Sequence, residues 1–535
     1  MHPYTHSYTV SPYSAQASAF AGARNMPPPL QRLPHEIMLH VGDNLDGKSL
    51  ARWAMASRAA YDVIHGPHGS KHKYRIELAK AGMVDGGTGM PHSELLKRLL
   101  FYTTAWRDSA SSIHELTLRN VGRHTVFMGD QMVPSGPSFC GVSGGYLYQV
   151  TGYTIELWQL FSHRNVGQVD VAPPPPRYAQ FISQVPIQAI AIDPAQDLLV
   201  LLDFGLPELC FHFKQLSSFR PHPEAHNPDI MIEETSRRDL VVRQMEVCGN
   251  TIGVLFAPDE RNCFKFKTRR PMHFAEWREG SVMDLLGVRI PWSFYFITEF
   301  IVLVTDYTRP KGEPEPRPFI WLFDTRPGGR VVPTRGTMLP FPWFGPAFRG
   351  RQPRKMSFVR NATSPMTTVY PAPAPFHYDL NKRLVGIKLS FGPHEAERPL
   401  GFPQETISIF RATTILSARP NDPTWFSQCI AFAPCPGTDL AFIGNKLFSA
   451  IRYAEHALIA IAVQELHDDV YSPQMFVPGT VSLQDRHKVS LNGKFMWSFS
   501  EKFGKAYVTE DNIVFLSDNE TMFTPSVLKV TAVNY

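Results

Sequence analysis

Ser143 lies in Gly141-Val-Ser143-Gly-Gly145, the G-x-S-x-G spacing that in hydrolases lifts a serine nucleophile onto a sharp turn between a strand and a helix. Here the following residues, Tyr146-Leu-Tyr-Gln-Val150, alternate as a strand, and no α/β alternation surrounds them. A glycine-rich hairpin turn explains the spacing better. Asp193 and His456 complete a triad no more convincingly than many other Asp and His residues of the chain. For metal ions, Cys429 and Cys435 are too far apart for a C-x₂₋₄-C knuckle, with no histidine pair at finger spacing nearby. His222/His226 and His65/His68/His72 fall among polar, Pro- and Gly-bearing residues and read as surface or capping groups. Asp193, Asp203, Asp306 and Asp324 stand beside apolar runs, where an aspartate more often closes an Asx-type turn than serves as one of a catalytic pair. No P-loop, H-E-x-x-H or dinucleotide glycine pattern occurs, so neither a cofactor nor a metal is implied.

These residues sit in two kinds of sequence. Between Leu33 and Ile64 the spacing is helical. Leu33-Pro34 opens a first helix, with Pro34 where a missing N–H costs little. Ile37, Val41 and Leu45 then form one apolar face. Asp46-Gly47 breaks it; Leu50, Trp53 and Ala54 continue in a second helix, and Ser57 caps a third in which Tyr61 and Ile64 point inward. Three helices this short bury little area alone, so the unit must pack on something else. Tyr74 to Met83 and Ser93 to Trp106 read as further helices, separated by Gly86-Gly87-Thr88-Gly89.

From Ile113 onward short apolar runs alternate with Pro/Gly turns. Seven blocks recur at about 45–65 residues, with one longer gap near Arg326 to Tyr370: strands near 145–160, 189–213, 244–256, 294–324, 377–410, 445–462 and 507–530. A closed ring of four-stranded blades satisfies such strands without helices. The fold class expected is therefore a small all-α unit plus a large all-β domain, a β-propeller of six to eight blades with seven favoured; a β-sandwich arrangement is the alternative. Trp-Asp blade endings do not recur. Trp158, Trp277, Trp321, Trp425 and Trp497 are assigned to blade cores. The domain plan is a disordered tail at 1–29, the three-helix unit at 30–70, a helical linker at 71–112 and the β domain at 113–535.

Composition narrows the function. The 535 residues are 43% hydrophobic and 19% charged with 47 prolines, which suits a folded, loop-rich protein and not a largely helical one. A net charge of +5 without a dense basic stripe argues against nucleic acid. The six cysteines are dispersed and read as reduced thiols. The longest apolar run, Phe294 to Thr305, is broken by Glu299 and falls short of the ~18 residues of a membrane span. No secretory signal is visible, and the expected location is cytoplasm or nucleus.

The helical stretch resembles the F-box, the motif by which substrate receptors of cullin-type ubiquitin ligases dock on a Skp-type adaptor. The resemblance rests on Leu33-Pro34, Glu36-Ile37, Val41, Leu45, Leu50, Ala56-Ser57-Arg58 and Tyr61; Gly42-Asp43 and Trp53 depart from it. Ala81-Gly82-Met83 and Ala105-Trp106-Arg107 likewise resemble a segment common in fungal F-box proteins. The resemblance implies a non-catalytic subunit that contacts the adaptor, and through it a cullin, by Leu33, Pro34, Ile37, Val41, Leu45, Leu50 and Trp53. The β domain would then hold a protein target. The competing classes are an adaptor-bound scaffold without a ubiquitination target and a propeller enzyme.

Overall fold

The computed structural model describes residues 33–66, 69–108, 112–118, 126–128, 131–133, 138–160, 177–205, 208–233, 240–258, 272–283, 285–286, 291–308, 317–326, 334–341, 355–362, 374–391, 405–420, 425–434, 439–444, 446–453, 458–465, 494–499, 503–509, 511–517 and 528–534. The chain divides into two compact units, one holding residues 1–81 and 90–99, the other 82–89 and 100–535. Among the described residues no helix is long and apolar enough to cross a membrane.

The first unit is helical: α1 (His35–Asp43), α2 (Gly47–Ala56), α3 (Arg58–His65), α4 (Ser70–Ala81) and the first part of α5 (His92–Asp108). Local chemistry sets the boundaries. The Pro34 carbonyl accepts the Ile37 and Met38 amides at 3.1 and 3.2 Å, starting α1. Asp46 accepts the Ser49 amide at 2.8 Å and Ser57 accepts the Ala60 amide at 3.4 Å, so each caps the helix that follows it. The core joins Leu50, Ala54 and Ile64 to Ile76 of α4. The segment read as a linker thus contributes to the same small core.

The second unit is all-β and propeller-like, made of successive antiparallel four-stranded meanders. Four follow one another as separate sheets, beginning at Ser138–Ser143, Ile187–Asp193, Leu240–Cys248 and Pro291–Thr298. Two more, beginning at Lys355–Asn361 and Asp439–Ile443, are fused into one eight-stranded sheet by a short parallel pairing of Arg360-Asn361 with Ala441-Phe442. The last combines Phe503–Val508, Asn512–Ser517 and Leu528–Asn534 with Ser112–Leu118, which pairs along the whole of the final strand. First strands of consecutive sheets adjoin, and Tyr507 of the last reaches the Cys140 carbonyl of the first at 3.4 Å, so the series closes on itself. Facing sheets of a sandwich would not place these strands side by side.

Apolar cores lie between neighbouring sheets. One gathers Tyr295, Leu339, Met356, Ile387, Phe410 and Trp425; another gathers Leu202, Phe211, Phe213, Ile252 and Trp277. Trp277 and Trp425 are fully buried, whereas Trp158 and Trp321 are only partly so, and the side chain of Trp497 lies outside the described residues.

Beside Trp277, Glu276 is 4% exposed and its Oε1 has no hydrogen-bond partner. Burial, with Glu279 nearby, pushes its carboxyl up to about 7. A carboxyl raised above its unfolded value stabilises the fold at low pH and loses that contribution as pH rises through the folded value. Glu276→Gln is therefore expected to be near neutral at about pH 5 and to stabilise the β unit at about pH 8.5 by as much as ~3 kcal/mol. Urea unfolding at the two pH values checks this; equal effects at both would refute it.

Candidate functional site

The first helix decides what the small unit offers to a partner. Its inward face is Met38 and Gly42, both buried. Its outward face carries Ile37, 49% exposed, and Val41, 38% exposed, following Leu33 at 37% and an exposed Pro34. The other three nominated residues differ: Leu50 is fully buried in the unit's core, and Leu45 and Trp53 lean partly buried against it. Four of the seven therefore form a water-facing apolar stripe, and three hold the unit together. Met55 is also exposed, and so, against the inward orientation expected of it, is Tyr61, which stacks on His65 at 4.2 Å between ring centroids while Ile64 takes the core position. Met55 carried no sequence signal, because a lone methionine on an amphipathic helix reads as core.

Gly42 explains how α1 is aimed. A Cβ there would lie 2.9 Å from Cε1 of His72 on α4, so glycine permits the close approach of the two helices. Arg75, one turn further along α4, donates from Nη1 to the Gly42 and Asp43 carbonyls at 3.0 and 3.2 Å and from Nη2 to the Leu45 carbonyl. The Gly42 and Asp43 carbonyls lie in the last turn of α1 and the Leu45 carbonyl just beyond it, where a cation suits the negative end of the helix dipole. Lys71 adds an ion pair with Asp43 at 2.7 Å, which holds that carboxyl below its ordinary range. The departure at Gly42-Asp43 is thus the clamp that fixes the apolar stripe outward.

His72 is 2% exposed, and its Nδ1 has no hydrogen-bond partner. Burial drives its pKa down, partly opposed by Asp43. A histidine with a depressed folded pKa contributes stability above its unfolded value near 6.5 that is lost as pH falls below it. The helical unit of the wild-type chain is expected to weaken on acidification through that range more than that of His72→Phe. Thermal unfolding followed by helical circular dichroism at several pH values tests this, and parallel pH profiles would count against it.

The groups that could have done chemistry are mostly structural. Ser143 Oγ accepts from the Ile192 amide at 3.1 Å and faces the Ile192 carbonyl at 3.4 Å, tying two adjacent first strands. Gly144 and Gly145, at φ of 55° and 76°, make the hairpin that follows, a left-handed turn that a side chain would strain. Asp193 caps a short turn by accepting the Ala195 amide at 3.0 Å, and Asp324 accepts the Arg326 amide at 3.1 Å. Asp203 and Asp306 are not in turns: both are buried within strands, and Asp306 accepts the Trp321 indole N–H at 3.2 Å. His222 is buried with its Nε2 2.9 Å from the Gln196 carbonyl and its ring edge-on to Trp277. Cys429 Sγ rests 3.4 Å from the Ile409 carbonyl. His68, Cys435 and His456 lie outside the described residues.

Polar groups on and around the first strands likewise bind neighbouring backbone and side chains. Gln244 donates to the Phe294 carbonyl at 2.7 Å and to Glu246 at 3.1 Å, and its Oε1 accepts from Ser293 Oγ and the Phe294 amide, each at 3.2 Å. Arg360 reaches from the fifth first strand to the Val142 carbonyl of the first at 2.7 Å. Arg383 donates to Tyr295 Oη at 2.7 Å. Burial raises the Glu246 carboxyl, opposed by Arg360, Gln244 and Arg383. The arrangement stitches the sheets together.

One group escaped the sequence reading. Cys210, His212 and Asp229 bring a thiol, an imidazole and a carboxylate within 4.8 Å of one another. Cys210-x-His212 is a visible i, i+2 pair, but Asp229 joins only through strand pairing, which no local spacing announces.

No family model matches this chain, and no curated protein matches it. Among solved structures it is similar to the Dos1 propeller, at 8% identity over 73% of this chain and 75% of that one, TM-score 0.34. It is similar too to the β-propeller domain of Nup133 from Vanderwaltozyma polyspora, at 8% identity over 79% and 97%, TM-score 0.36. A third is the β-propeller domain of the Trilobed protease from Pyrococcus furiosus, at 8% over 74% and 95%, TM-score 0.36.

Proposed function

We propose that this chain is the substrate-recognition subunit of a cullin-type ubiquitin ligase, working in the cytoplasm or nucleus. Its helical unit docks on a Skp-type adaptor, and its β unit, a seven-bladed propeller, holds a target protein. Catalysis belongs to other subunits; this chain supplies proximity, raising the effective concentration of target lysines beside the loaded conjugating enzyme. The reading is carried by one observation: Leu33, Pro34, Ile37 and Val41 form an apolar stripe that the unit's own core does not use, on a helix whose inward face is Met38 and Gly42. Burying such a stripe is worth about 1.5–3 kcal/mol per large side chain, so a free one marks an interface. The seven-bladed form is supported by the four-stranded meanders and by the pairing of Ser112–Leu118 with Leu528–Asn534, which joins the two ends of the series.

The test is co-purification of the full chain with a Skp-type adaptor and a cullin. Retention of both proteins is expected. A folded full-length chain that retains neither would end the ligase reading, and one that retains the adaptor without a cullin would make it a scaffold.

A further inference from the structure

We propose that Cys210, His212 and Asp229 form a binding site for a zinc-type transition-metal ion on the last two strands of the second sheet. Strand Glu208–Gln215 alternates: Leu209, Phe211 and Phe213 enter the core, which leaves Cys210 and His212 together on the opposite face. Strand Asp229–Glu233 pairs with it so that His212 opposes Asp229 and Cys210 opposes Met231. His212 Nδ1 lies 2.6 Å from Asp229 Oδ1 and 3.9 Å from Cys210 Sγ, and all three donor atoms fall within 4.8 Å. Tetrahedral zinc with bonds of about 2.0–2.3 Å sets its ligand atoms roughly 3.3–3.8 Å apart, so small side-chain rotations suffice to admit the ion.

The donor types select the metal. A thiolate, an imidazole and one carboxylate suit zinc and its neighbours, while calcium and magnesium demand oxygen cages. Two ligands sit on one strand and the third is fixed by register, so the backbone is organised before the ion arrives. Access is open: the Asp229 side chain is 48% exposed and that of His212 16%. On the other side of Cys210, buried Asp203 stands directly opposite on the neighbouring strand, placing a second carboxylate on the same face beside the thiol. Three protein ligands leave the fourth position to water or to a group from a bound partner, the pattern of an open rather than closed zinc site. Binding releases the thiol proton, so affinity should rise with pH.

The experiment titrates Co²⁺, a coloured stand-in for zinc, into the metal-free, reduced full chain. One cobalt per chain is expected, with thiolate-to-cobalt charge-transfer absorption that Zn²⁺ abolishes by displacement. Cys210→Ser should remove the charge-transfer band. Asp229→Asn, at an exposed position where folding is not at stake, should weaken binding by at least the roughly tenfold that losing even an outer-shell partner costs. Circular dichroism confirms that each variant is folded. No saturable band in the wild-type chain, a band that survives Cys210→Ser, or unchanged affinity in Asp229→Asn would each overturn the site.

Discussion

An Ile37→Asp/Val41→Asp chain is expected to lose binding to a Skp-type adaptor by at least about 1,000-fold while its unfolding curve stays close to that of the wild type. Both positions are already in water, at 49% and 38% exposure, so charges there cost the free protein little. In a complex they would replace two apolar contacts worth about 1.5–3 kcal/mol each and would bury unpaired carboxylates besides. A loss of about 4 kcal/mol is a thousandfold in affinity. Leu50→Asp is the contrasting control: Leu50 is fully buried, so that variant should abolish binding by unfolding the helical unit. Leu45 serves poorly as a probe because it packs against the same core. Calorimetry or pull-down with the purified adaptor reads the difference. Wild-type affinity in the double variant would remove the α1 stripe from the interface.

In the β unit the largest single effect is expected at Trp277. Trp277→Ala should cost about 3–5 kcal/mol of stability. The indole is fully buried, packs against Phe213 at 6.2 Å between centroids, and donates from Nε1 to the Gly249 carbonyl at 3.0 Å. His222 meets it edge-on at 4.8 Å, and Arg278 lies over the ring at 5.0 Å. Truncation leaves a cavity, the larger penalty, and removes one of two donors to the Gly249 carbonyl, which keeps the Gln196 side-chain amide at 2.8 Å. Trp277→Phe should recover the packing but not the hydrogen bond, and so fall between. Urea denaturation measures all three; a loss under about 1 kcal/mol for the alanine variant would mean that the sheets can collapse around the gap.

The parts legible in the sequence were those with local causes. Pro34 and Ser57 announced helix starts and Asp46-Gly47 a helix break because such signals involve residues only a turn apart, although the break did not reveal that Asp46 caps the next helix. The strand blocks announced themselves because alternation is a short-range pattern. Which face of α1 turns inward was not legible. Ile37, Val41 and Leu45 looked like the apolar side, yet the inner side is Met38 and Gly42, and the fit of Gly42 depends on His72 of a later helix. Asp203 and Asp306 looked like turn residues because strand ends are hard to place, whereas register puts both inside sheets. The cluster of Cys210, His212 and Asp229 is a product of pairing, as is the last sheet, whose first-in-sequence strand, Ser112–Leu118, gives no hint of its distant partner.

That distant pairing has a bearing on how the protein is made. Ser112–Leu118 leaves the ribosome long before Leu528–Asn534, the strand it needs, exists. The intervening sheets can form as they emerge, since each is a local meander, but the closing sheet waits until Leu528–Asn534 has been made. Until then the nascent chain carries unpaired strand edges at both ends of the series, which are the surfaces that chaperones cover and that aggregate when uncovered. A ribosome that stalls or terminates before Leu528 would therefore release an open, sticky product whose helical unit is already complete.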